Sequence, residues 1–153
     1  MGYSDLTEIE AVYPCSPSQQ EVLQISADDP ASEYYHVQQI LELTPPTDST
    51  MLDARHLETA WRQVVSRHPS LRTAFIRGHS SSAKFHQILL AQSQANVVHI
   101  ECKEENLMAT LAYQQPFQFD YRQPLHRLTI CRTSRGRLVC KFDSKSTGLN
   151  APL

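Results

Sequence analysis

Arg67 and Arg72 flank a His68-Pro69 pair, and guanidinium groups can stabilise an oxyanion. His68 lies where an apolar-periodic segment meets a proline, a place for a structural cap rather than a base. His36, His56, His79, His86, His99 and His126 show no spacing for a shared metal. Cys15, Cys102, Cys131 and Cys140 form no C-x-x-C pair, so no metal site is expected and the thiols read as reduced. Cys15 alone has a nucleophile's position, because it stands just before a helix start, where a thiol pKa can fall.

Periodic segments must position these groups. Ser16-Pro17-Ser18-Gln19 is a capping box with proline at the first helical position; it predicts a short helix closed by Asp28-Asp29-Pro30. Tyr34 to Leu43 alternates as a strand, stopped by Thr44-Pro45-Pro46. Leu57, Ala60, Trp61, Val64 and Val65 follow the i, i+3, i+4, i+7, i+8 rule and predict an amphipathic helix from an Asp53 cap to His68, with Trp61 as its core anchor. Leu71–Ile76, Phe85–Leu90, Val97–Cys102 and Leu125–Cys131 read as strands. A stripe of Leu107, Met108, Leu111 and Ala112 predicts a helix from Glu104 to Gln114. Arg137–Phe142 is a last strand, paired with Leu125–Cys131 through a Thr133–Gly136 turn. This order implies an α+β layer fold, a mixed β-sheet with helices packed on one face.

With 153 residues, of which 41% are hydrophobic and 20% charged, the chain fits one average domain and excludes a two-domain enzyme. No apolar run reaches membrane-spanning length, and the acidic Met1–Glu10 start is no secretory signal, so a cytoplasmic location is expected. The net charge of -2 is unevenly spread: residues 122–153 carry +6 and the remainder -8. Such a basic hairpin can meet phosphate or an acidic partner. Its lack of interleaved aromatic residues argues against nucleic acid, and the simpler reading is a solvated hairpin whose acidic complement lies elsewhere in the fold.

Three segments taken together resemble the amino-terminal lobe of a condensation domain of fungal-type nonribosomal peptide synthetases. Tyr13-Pro14-Cys15-Ser16-Pro17-Ser18-Gln19-Gln20 is similar to the opening motif of that family, with Pro14, Ser16 and Gln19 at its marked positions. Arg67-His68-Pro69-Ser70-Leu71-Arg72-Thr73-Ala74-Phe75 resembles its R-H-x-x-L-R-T-x-F signature, carried by Arg67, His68, Leu71, Arg72, Thr73 and Phe75. Pro124-Leu125-His126-Arg127-Leu128 resembles the strand that precedes the catalytic segment. The resemblance extends from Ile9 to Phe142.

It implies a chloramphenicol-acetyltransferase-like lobe that needs a second, C-terminal lobe and carrier-protein partners. Phosphopantetheine would sit on those carriers, with no cofactor bound directly. The implied reaction is attack by the amine of one carrier-bound thioester on the carbonyl of another, forming an amide, which requires mainly orientation and charge stabilisation. Cys15 has no part in that chemistry, and Arg72 would brace the aspartate of an H-H-x-x-x-D-G motif. That motif is absent: by register Ser146 stands at the active histidine and Asn150 at the aspartate. A serine without a base does not replace an imidazole. No catalytic residue is assigned.

Residues 1–143 are therefore expected to form the lobe and 144–153 an aberrant, disordered tail, an ending that resembles a frameshift, a retained intron or a mis-set gene boundary more than an evolved one. The chain is expected to be inactive alone. Two other functions are compatible with the residues: a non-catalytic carrier-binding fragment, and a coenzyme A-dependent acyltransferase relative.

Overall fold

The computed structural model describes residues 9–29, 35–44, 52–78, 84–92, 95–114, 120 and 122–146. Strand β1 (Ile9–Pro14) leads into helix α1 (Pro17–Asp28), whose capping box is complete. The Ser16 hydroxyl accepts from the Gln19 amide at 3.3 Å, and the Gln19 side chain accepts from the Ser16 amide at 2.9 Å. Strand β2 (His36–Leu43) follows, then α2 (Ala54–Arg67), capped by Asp53 accepting from the Arg55 amide at 2.9 Å. His68 and Pro69 end α2 as anticipated, because a residue before proline is turned away from helical geometry.

Leu71 and Arg72, read from the sequence as strand residues, lie in a 3-10 turn (Pro69–Arg72); β3 is Thr73–Arg77. Strands β4 (Phe85–Leu90) and β5 (Val97–Cys102) match their predicted limits. Helix α3 (Leu107–Ala112) is shorter than expected, since Glu104–Asn106 form a 3-10 turn ahead of it. β6 (His126–Thr133) and β7 (Leu138–Lys145) form the expected hairpin, turned at Gly136, whose φ of 82° suits a residue without Cβ. Ser144 and Lys145, placed by the sequence in the tail, are the last residues of β7. Two-sided pairing explains this: Ser144 sits between Val37 and His126. Residues 147–153 lie outside the described residues.

The strands form two sheets, β1-β4-β3 and β2-β7-β6-β5. The second is mixed, since β5 runs parallel to β6 while the other pairs are antiparallel. The α+β class with a mixed sheet holds, and the layering is fuller than one helical face. Ala54, Leu57 and Trp61 of α2 pack on Leu128, Ile130, Leu138 and Cys140; Leu107 and Leu111 of α3 pack on the alternate residues Cys131 and Val139. Period-2 alternation sends these two sets to opposite sides of the sheet. Among the described residues, no helix is long and apolar enough to cross a membrane.

Candidate functional site: the junction of three motif segments

The three segments singled out in the sequence meet in one apolar cluster. Cys15 from the opening segment, Phe75 from the R-H-x-x-L-R-T-x-F segment and Leu125 from the Pro-Leu-His segment pack together with Leu23 and Phe85. Polar contacts fix the same junction. Gln19 is buried, and its Oε1 accepts from Gln87 Nε2 at 3.0 Å, which fastens α1 to β4. Gln20 does as much: its Nε2 donates to the Phe85 carbonyl at 3.1 Å and its Oε1 accepts from the Phe85 amide at 2.9 Å. The sequence offered no signal for that clamp beyond the amide side chain itself.

The other site residues have separate tasks. Pro14, Arg67 and His68 are exposed, at the end of β1 and around the end of α2. The Thr73 hydroxyl donates to the Pro69 carbonyl at 2.9 Å, closing the 3-10 turn. The Leu71 carbonyl meets Nε2 of His126 at 2.9 Å. Arg72 is buried, and where the resemblance implied an aspartate of the missing motif, its guanidinium meets Glu10 at 2.9 Å and the Leu90 and Ala91 carbonyls. Arg72 thus ties β1 and the end of β4 to the turn before β3.

The end of β7 presents two different surfaces. On the α2 side, His126 lies edge-on to Trp61, with ring centroids 5.7 Å apart, and stacks on Phe142 at 6.3 Å. A carbonyl can only accept, so His126 carries its hydrogen on Nε2 and its lone pair on Nδ1. Burial pushes the pKa of His126 below its ordinary value, against the opposing pull of the Leu71 carbonyl, so the ring is neutral. At 4% exposure it is a sealed pin rather than a base open to substrate.

On the α3 side, the fully buried Asp143 faces Arg127 at 3.1 Å, His36 at 3.4 Å and Lys141 at 3.7 Å. Lys141 also donates to the Leu111 carbonyl at 3.0 Å. Ser146, which the resemblance sets at the position of an active histidine, is exposed and donates its backbone amide to the Tyr35 carbonyl at 2.7 Å. Asn150 and His79 lie outside the described residues.

The basic stretch is answered from within the fold. Arg137 meets Glu42 at 2.7 Å and also pairs with Glu104; Arg122 meets Asp120 at 3.0 Å, and Arg132 meets Asp53 at 3.9 Å. These contacts supply the acidic complement expected of a solvated hairpin. A cleft of about 800 Å³ lies apart from the motif junction, between the start of α2 and the β5 edge. It is lined by Asp53, Arg55, Glu58, His99, Glu101 and Arg132, among others. Hydrogen bonds from Arg62 first and His99 second hold Glu58 below the usual carboxylate range there. Among the described residues, no group of three or more His, Cys, Asp or Glu side chains could hold a metal ion.

This two-sheet architecture, with its motif segments converging on one cluster, is that of a condensation-domain lobe, and the Condensation domain family profile matches residues 9–144. The chain belongs to that family. It is 39% identical over 135 residues to nonribosomal peptide synthetase easA of Emericella nidulans, covering 86% of this chain and 2% of that protein. It is 31% identical to nonribosomal peptide synthetase 1 of Aspergillus fumigatus, covering 93% of this chain and again 2% of the relative.

Among solved structures, the condensation domain from the monacolin K polyketide synthase MokA superposes with a TM-score of 0.72 at 21% identity, over 90% of this chain and 30% of that one. The starter condensation domain of rhizomide synthetase RzmA gives 0.73 at 16% identity, over 93% and 34%. The fold is therefore α+β and chloramphenicol-acetyltransferase-like, and this chain spans about a third of those condensation-domain chains.

Proposed function

We propose that this chain is the amino-terminal lobe of a nonribosomal peptide synthetase condensation domain, serving amide-bond formation between carrier-bound thioesters. The convergence of Cys15, Phe75 and Leu125 in one cluster carries this reading, because it gives the three family-like segments a common structural purpose. Its partners are carrier-protein domains, which bring phosphopantetheine, and a C-terminal lobe that completes the substrate tunnel; the setting is the cytosol.

Taken alone, the chain does not catalyse. It contains no H-H-x-x-x-D-G sequence, and the imidazole that the described residues place against the Leu71 turn, His126, is buried away from any amine. His126 is sealed and neutral, and Ser146 has no base among its described contacts. The lobe is a scaffold that awaits its chemistry.

The test is a chimera in which residues 9–143 replace the corresponding lobe segment of an active condensation domain that retains its own H-H-x-x-x-D-G and second lobe. Peptide product above that of a motif-mutated control is expected. A folded chimera that binds both loaded carriers and forms no product would overturn the reading.

A further inference from the structure

Cys102 and Cys131, 29 positions apart in sequence, bring their sulfur atoms to 3.3 Å. Parallel pairing sets this contact. Ile100 is the register partner of Cys131, so Cys102, two residues further along β5, lies diagonally across on the same face. Both thiols belong to the cluster beneath α3, with Leu107, Leu111 and Val139. Their exposure differs: Cys131 is fully buried, whereas Cys102 is partly exposed on β5, the last strand of its sheet.

We propose that Cys102 and Cys131 are a reversible oxidation site, a dithiol that closes to a disulfide when the protein meets a peroxide. A disulfide requires sulfurs about 2.05 Å apart, so the contact must close by roughly 1.3 Å, a movement within reach of an edge strand. Cys102 is the entry point. Its sulfur attacks a peroxide oxygen and breaks the O–O bond, leaving sulfenic acid and releasing water. The Cys131 sulfur then attacks the sulfenic sulfur along the existing contact. The S–S bond forms as the S–O bond breaks, and the displaced hydroxide leaves as water with the Cys131 proton. Two thiols and one hydrogen peroxide give one disulfide and two waters.

The remaining thiols are poorly placed to compete. Burial pushes the thiols of both Cys15 and Cys140 up to about 11. In each the reactive thiolate is scarce near neutral pH. With no third ligand beside the pair among the described residues, the chemistry that fits two touching thiols is oxidation rather than metal capture. The bond would fasten β5 to β6 under α3.

The experiment treats the purified chain with hydrogen peroxide, blocks free thiols, and digests it with trypsin without reduction. The expected result is peptide 85–103 joined to peptide 128–132, a loss of two hydrogens in intact mass, and two of the four thiols protected from labelling until a reductant restores them. The oxidised chain should also unfold at higher urea. Cys102→Ser, altered at the sheet edge, should fold, form no link and show no peroxide-dependent change in urea midpoint. Four thiols still free after peroxide, sulfinic acid on Cys102 with Cys131 reduced, or a link from 85–103 to the Cys140 peptide would each overturn the proposal.

Discussion

His126 donates its Nε2 hydrogen to the Leu71 carbonyl across 2.9 Å, joining the start of β6 to the turn that follows α2. Burial of this ring makes stability depend on pH. Its folded pKa lies below the ordinary 6.5, so the unfolded chain binds the proton more readily than the native one. The stabilising contribution is therefore complete above about pH 6.5 and is lost as the pH falls through the lower, folded value. Urea unfolding at stepped pH should show a decline below 6.5 that is shallower in His126→Gln. Equal slopes in the two proteins would contradict the assignment.

Arg72 and Glu10 form a pair whose members contribute unequally. The arginine side chain is 9% exposed and the glutamate 50%. Arg72→Met strands the Leu90 carbonyl and should cost about 2–3 kcal/mol. Glu10→Gln removes only an ion pair open to water and should cost less than about 1 kcal/mol. Equilibrium denaturation of the two variants measures both, and a larger loss from Glu10→Gln would reverse the assignment.

Asp143 is a buried anion facing Arg127 and Lys141. Asp143→Asn keeps the shape but leaves two buried cations without this counter-charge, so a destabilisation of about 3–5 kcal/mol is expected. A denaturation midpoint equal to the parent's would show that the cations find other compensation.

The exposed hairpin should behave differently. Arg137 meets the exposed Glu42 and the partly covered Glu104, and salt screens the first pair most. Arg137→Gln is expected to lower the urea midpoint slightly at low salt, with the difference fading at 1 M sodium chloride, where the screening length is about 3 Å. A difference that persists at high salt would mean that packing, not charge, is what the residue supplies.

Local features were readable because they depend on neighbours in sequence. The Ser16–Gln19 box, the Asp53 cap and the proline that ends α2 each need only a few residues to act. Ile9–Pro14 carries no strand signal of its own, because an acidic start and a proline obscure the alternation; its strand exists through pairing with β4. Likewise Asp143, Ser144 and Lys145 lack strand-like composition, yet β2 and β6 hold them from both sides. The Glu10 partner of Arg72 and the Cys102–Cys131 contact depend on register between distant segments. Residue spacing along the chain does not carry that information.

On the proposed function, this chain contributes a structural lobe to amide formation and does not couple thioesters by itself. The direct measurement is to incubate the purified protein with two carrier domains, one bearing a donor acyl thioester and the other an acceptor aminoacyl thioester. Product is followed by intact mass of the acceptor carrier. Transfer no faster than in a protein-free control is expected; acceptor-bound amide formed faster than in that control would contradict the account.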